Sequence, residues 1–145
     1  GETMIHVAVA VIFDSIKNEI LIAKRHKNKH QGGKWEFPGG KVEVDEPVTV
    51  ALVREIKEEL AIEIDISETH KLDDVRFSYD DIDVWLDVWW VSAFEGEPKG
   101  AEGQIIKWAS IEELKTIDFP EANQQILTAI TQELSTINAA KKIND

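Results

Sequence analysis

Apolar and polar positions divide the chain into short runs whose periods assign most of its elements. Residues 5–13 (IHVAVAVIF) are rich in β-branched side chains and read as a buried strand. A polar turn from Asp14 to Asn18 leads to residues 19–25 (EILIAKR), the natural hairpin partner. A basic loop over residues 26–34 follows, and residues 35–37 (WEF) form a short strand stopped by a glycine turn, Pro38-Gly39-Gly40. The pattern then becomes helical, opened by Pro47, whose missing N–H costs nothing in a first turn. Residues 63–66 alternate as a strand, and two longer strands, residues 69–79 and 82–94, meet near Asp80-Asp81. A Gly- and Pro-containing loop over 95–103 separates them from a strand at 105–109. Ser110-Ile111-Glu112-Glu113 fits a capping box and starts a short helix. The last helix begins near Pro120, with Ile126, Leu127, Ile130 and Leu134 as its packing stripe; residues 139–145 are expected to fray. Strands on both sides of a central helix predict an α+β fold with a mixed sheet between helices.

The central helix breaks its own pattern. At about 100° per residue, Val48, Ala51, Leu52 and Ile56 share one side, and Glu55 and Glu59 fall on that side with Glu58 at its margin. Glu55, Glu58 and Glu59 stand at i, i+3 and i+4, so their carboxylates are expected to converge over one turn. Two readings fit. Convergent, partly buried like charges invite a hard divalent cation with its preference for oxygen. Alternatively the helix is a surface helix laced by ion pairs, Arg54 to Glu58 among them, with the glutamates in water.

Composition narrows the field. A chain of 145 residues with 43% hydrophobic content and five tryptophans has the material for one packed domain, residues 1–145. The tryptophans are read as core and sheet packing rather than as a base-stacking platform. Without cysteine there is neither a disulfide framework nor a thiolate zinc site, which fits a cytoplasmic location. No apolar run is long enough to span a membrane. Gly1-Glu2-Thr3 ahead of Met4 is read as an expression remnant. Sixteen basic against 28 acidic residues give a net charge of −12, which repels a nucleic acid polymer. A small polyphosphate remains a possible partner where metal ions and local Lys or Arg offset the charge. A monomer is expected.

From Gly40 onward, five residues lead to Glu46 and seven more to Arg54-Glu55, then Ile56, Lys57, Glu58-Glu59, Leu60, Ala61 and Ile62. This resembles the Nudix box, G-x5-E-x7-R-E-U-x-E-E-x-G-U with U aliphatic, at every defined position except the last glycine, where Ala61 stands. That position often needs a positive φ, which costs alanine about 1 kcal/mol. HQGGKWEFPGGK, FEGEPKGAEGQ and DFPEANQQI extend the resemblance to the MutT-type branch, the 8-oxo-dGTP diphosphatases.

The resemblance implies an α/β/α sandwich and metal-dependent hydrolysis of a nucleoside triphosphate to monophosphate and pyrophosphate, with Mg²⁺ or Mn²⁺ as cofactor. It implies Glu55, Glu58 and Glu59, the Gly39 carbonyl and Glu102 as metal ligands. Glu55 or Glu58 is the first candidate for the base, with Glu102 next. Arg54 and Glu46 are read as structural. Arg25, His30 and Lys41 are implied to meet phosphate or sugar, although each is otherwise a solvated cation. Asn123, facing inward from the first turn of the last helix, is either satisfied by local backbone or implied to read a purine edge, with Glu36, Phe37 and Pro38 closing that pocket. The Asp80-Asp81-Ile82 turn departs from the branch, which has an arginine near Ile82. Within the same chemistry CTP, a dinucleoside polyphosphate and ADP-ribose are alternatives. A non-catalytic nucleotide sensor leaves the full set of glutamates without a use, and an acidic interaction domain leaves the glycine turn unexplained.

Overall fold

The computed structural model describes residues 4–25 and 33–144. The main sheet has strands β1 (Met4–Asp14), β2 (Glu19–Lys24), β3 (Trp35–Glu36), β4 (Gly39–Lys41), β6 (Thr69–Ser78), β7 (Asp83–Val91) and β9 (Ile106–Ala109). β5 (Glu63–Ile64) and β8 (Phe94–Glu95) pair separately. The helices are α1 (Val48–Leu60), α2 (Ile111–Leu114) and α3 (Glu121–Asn144). β1 is the spine of the mixed sheet. It runs parallel to β7 from Met4↔Asp83 to Ile12↔Val91, and antiparallel to β4 and β2 at successive stretches of its other edge.

Alternation along β1 divides the core into two layers. Val9, Val11 and Phe13 face α2 and α3, joining Leu114, Phe119, Ile126 and Ile130. Ala8, Ala10 and Ile12 face α1, joining Ala51, Leu52, Ile56 and Leu60. Strand and helix periods therefore meet as expected, and the fold is an α+β sandwich with the mixed sheet in the middle. Among the described residues no helix is long and apolar enough to cross a membrane.

Two expectations change. Gly39-Gly40 is not a turn but part of β4, paired with Val9 and Ala8. A side chain at Gly39 would run into the Ala8 carbonyl, so glycine serves close strand approach, and neither residue has a positive φ. The capping box at α2 is half made. Ser110 Oγ accepts from the Glu113 N–H at 3.1 Å, but the Glu113 carboxylate pairs with Lys107 at 2.7 Å. α3 runs on through residues 139–144, with good helix formers and with Lys141 and Lys142 in its last turn. The tryptophans on β7 pack as expected: Trp90 is core, and on the other face the half-buried Trp89 packs against the second core layer and Trp85 stacks on His6, the two donating to Asp87 and Asp74. Asp87 is a buried carboxylate that also accepts from His6 and Lys71, a satisfied polar cluster.

Candidate active site

α1 begins after Pro47, whose carbonyl accepts from Val50 and Ala51, each at 3.1 Å. It ends at Ala61, with φ 59° and ψ 36°, the left-handed geometry expected where the box has glycine. Its apolar stripe seats it on β1, and this fixes the three glutamates differently. Glu59 is buried, the Glu55 side chain is 21% exposed, and that of Glu58 is 54% exposed.

Each carboxylate has its own partner. Glu59 accepts from the Gly39 N–H at 3.2 Å. Glu55 accepts from Arg54 Nη1 at 2.7 Å, and its Cγ and carboxylate occupy the space that a Gly40 side chain would fill. Arg54 also grips Glu46 through Nε and Nη2, each 2.9 Å from a carboxylate oxygen, and donates to the Lys41 carbonyl at 3.1 Å. Its distance to Glu58 is 3.8 Å, so the i+4 pair is the weakest of its contacts. The guanidinium therefore orients Glu55 and staples the loop before α1 to β4. The Arg54 hydrogen bonds, with one from the Glu43 N–H, hold the Glu46 carboxyl down at about 2.

A loop carries Glu102 to the same place. The Ala101 N–H and the Gln104 Nε2 both donate to the Glu59 carbonyl, at 3.0 and 2.8 Å, and the Lys99 N–H donates to the Leu60 carbonyl at 3.0 Å. These bonds satisfy carbonyls that the end of a helix leaves unpaired. Gln104 Oε1 meanwhile accepts from the Glu102 N–H at 3.0 Å.

The result is a cleft of about 390 Å³ that includes Gly39, Glu55, Glu58, Glu59 and Glu102, all the residues expected to hold a metal. Their carboxylates do not converge as the helical spacing suggested: among the described residues no three such groups are close enough to hold an ion. The donors nevertheless fit one. Burial, then the Glu36 charge, push the Glu59 carboxyl up to about 8 against the opposing Gly39 N–H, with Glu102 and Glu55 adding to the rise. A buried acid among like charges, built only of oxygen donors, suits a hard divalent cation. Lys24 and Lys41 line this cleft, and neither forms an ion pair with a described residue.

A second cavity, of about 330 Å³, opens on the other side of β4. Its walls are largely apolar, Val7, Val84 and Leu86 among them, with Arg25, Glu36, Tyr79 and Asn123 as polar groups. Arg25 pairs with Glu36 at 2.5 Å. Asn123 is half-buried, and its side-chain amide bonds to no described residue, so local backbone does not satisfy it. Phe37 lines the cavity but is mainly core, stacked on Phe119 at 5.0 Å. Pro38 does not line it: the residue is buried and its carbonyl accepts from the Ala10 N–H at 2.8 Å. His30 lies outside the described residues. Ile82, near which the resemblance leads one to expect an arginine, adds an apolar side chain to the lining. Lys24, Gln104 and Tyr79 escaped the sequence reading, since no motif marks a lysine at a strand end, a loop glutamine or a tyrosine before a turn.

Residues 8–129 match the family model of the NUDIX domain. The chain is 38% identical over 128 residues to an 8-oxo-dGTP diphosphatase of Escherichia coli K12, covering 87% of this chain and 95% of the relative. It is also 38% identical over 126 residues to a CTP pyrophosphohydrolase of the same organism, covering 87% and 90%. A solved MutT structure, from work on the Aliivibrio salmonicida and Vibrio cholerae proteins, superposes with a TM-score of 0.76 at 40% identity, covering 90% of this chain and 99% of that one.

Proposed function

The chain belongs to the NUDIX domain family and is a Nudix hydrolase, and on that premise we propose that it cleaves 8-oxo-dGTP to 8-oxo-dGMP and pyrophosphate. The observation that carries the reading is the junction of the two cavities. Glu36, Gly39, Gly40 and Lys41 line both, so a ligand can place a base in the apolar cavity and its phosphates among the carboxylates. The net charge of −12 supports a free nucleotide over a nucleic acid polymer. The absence of cysteine is in keeping with work in the cytoplasm.

Glu55, Glu58, Glu59 and Glu102, with the Gly39 carbonyl, would hold Mg²⁺ or Mn²⁺. When bound, such an ion neutralises phosphate charge and polarises phosphorus toward attack by water. Lys24 and Lys41 cover the phosphate charge that remains. Glu55, aligned by Arg54, or Glu58 on the open side of the cleft takes a proton from the attacking water, with Glu102 the next candidate. As the new P–O bond forms, the P–O bond of the α,β bridge breaks, and the proton ends on the carboxylate. Arg25 meets phosphate or sugar, Glu36 helps close the base pocket, and the Asn123 amide, which can donate and accept together, reads the base edge.

The comparable identity to the CTP pyrophosphohydrolase favours CTP as a second reading. A nucleotide panel with Mg²⁺ separates them, measuring kcat/KM and the leaving product for 8-oxo-dGTP, dGTP, CTP and ADP-ribose. The proposal expects 8-oxo-dGTP to lead, with pyrophosphate released. A higher kcat/KM for CTP, or release of single phosphate, contradicts it.

A further inference from the structure

We infer that Tyr79 is a positioning residue for base recognition: its hydroxyl ties the β6–β7 turn to the first turn of α3 and so sets where the Asn123 amide stands. The inference rests on the base-reading role proposed above for Asn123.

The first turn of a helix has N–H groups that no helical carbonyl reaches, and a side chain just ahead of it usually accepts from one. Pro120 holds that place in α3 and has no such acceptor. Ala122 is only 2% exposed, so water has little access to its N–H. The Tyr79 hydroxyl accepts from that N–H at 2.9 Å across 43 residues of sequence. The next N–H, that of Asn123, donates to the Pro120 carbonyl at 2.9 Å.

Tyr79 is itself well placed to act as an anchor. Its ring packs against Phe77 with centroids 4.9 Å apart and planes tilted by 54°. Its backbone closes the turn, the Tyr79 N–H donating to the Ile82 carbonyl at 2.8 Å. Tyr79, Ile82, Ala122 and Asn123 all line the 330 Å³ cavity, where the hydroxyl joins the turn directly to the start of α3. The hydroxyl therefore holds the residue before Asn123 in place, and with it the backbone that carries the amide. Burial moves the phenol above its ordinary range, so it remains a neutral hydroxyl at working pH.

The test is a double-mutant cycle of Tyr79→Phe and Asn123→Ala, read as kcat/KM and as KM and kcat separately, over the nucleotide panel. Removing the hydroxyl leaves a buried N–H without an acceptor, so Tyr79→Phe should lower kcat/KM for the preferred nucleotide about tenfold, more through KM than through kcat. In the Asn123→Ala background the further loss should shrink to less than about twofold, because neighbours acting as one unit are not additive. Faster hydrogen exchange at the Ala122 amide should accompany the change. An Asn123→Ala enzyme that loses base preference while Tyr79→Phe costs the same factor in both backgrounds overturns the inference alone. An Asn123→Ala enzyme with the wild-type preference overturns the base-reading role and this inference with it.

Discussion

Replacing Gly40 by alanine adds one methyl group, and the structure leaves it one place to go. A Cβ at Gly40 would stand 2.8 Å from the Glu55 Cγ and closer still to its carboxylate, where ordinary contact begins near 3.4 Å. The Gly40 φ is not positive, so the backbone accepts alanine without strain and the side chain of Glu55 must yield. Its head has to shift by about 1 Å, a displacement that typically lowers a rate by about 10²-fold when the group acts on the reacting atoms. The move also breaks the 2.7 Å bond from Arg54, a half-exposed pair that contributes less than about 1 kcal/mol. Gly40→Ala should therefore lose about 10²-fold in kcat while its Tm falls by no more than about 4 °C. Gly39→Ala is the contrast: its Cβ meets the Ala8 carbonyl, which belongs to the central strand and has little freedom to move. Overpacking of that kind costs about 1–3 kcal/mol and should appear mainly in Tm. Steady-state kinetics and calorimetry on the two variants separate the effects. A Gly40→Ala enzyme with kcat within twofold of wild type would refute the reasoning, as would a Tm loss equal to that of Gly39→Ala.

Other outcomes follow from single residues. Ala61→Gly relieves a left-handed alanine, worth about 1–2 kcal/mol. Glycine gives back about 0.4–1 kcal/mol through the freer unfolded chain. The Ala61 methyl is exposed, so no packing is lost, and calorimetry should show a Tm higher by about 2–3 °C; an unchanged or lower Tm contradicts the strain. The Glu59 carboxyl, raised from its ordinary 4.5 to about 8, binds its proton more tightly folded than unfolded. Its contribution is thus complete below pH 4.5 and is lost as pH rises toward 8, by at most about 1.4 kcal/mol per pH unit. Denaturant titrations in EDTA should show that decline in the wild type, a flatter profile in Glu59→Gln, and a flatter one with saturating Mg²⁺; identical slopes in all three contradict the burial argument. Asn123→Ala should weaken 8-oxo-dGTP turnover far more than dGTP turnover, about tenfold or more in kcat/KM ratio, since an unpaired buried group costs about 1–3 kcal/mol. An equal loss for both nucleotides removes Asn123 from base recognition.

Local pattern made much of this legible. β1 and α1 were readable because period-two and period-3.6 stripes of β-branched and aliphatic residues leave few alternatives. The glutamates on the inward side of α1 were visible for the same reason, as charges where packing calls for carbon. The strained exit of α1 could be read from Ala61 alone, one residue short of a motif. β4 was not readable, since Gly39-Gly40 is chemically indistinguishable from a turn until Ala8 comes close behind it. Nor could spacing show that Glu59 turns inward to the Gly39 N–H while Glu55 leans on Arg54. Those partners depend on the seating of β4 against β1, which is nonlocal. Tyr79 and Ala122, 43 residues apart in the chain, meet only when the sheet edge and α3 have docked.

On the proposed reading, the acidic cleft beside β4 gathers divalent ions and phosphate together. Anomalous diffraction from crystals soaked with Mn²⁺ and a non-hydrolysable nucleotide analogue would show whether they meet there. Manganese peaks within coordination distance of Glu55, Glu58 or Glu59, with the phosphate chain beside them and the base toward Asn123, are the expected result. A bound analogue whose phosphates lie elsewhere, with no manganese at those carboxylates, would contradict it.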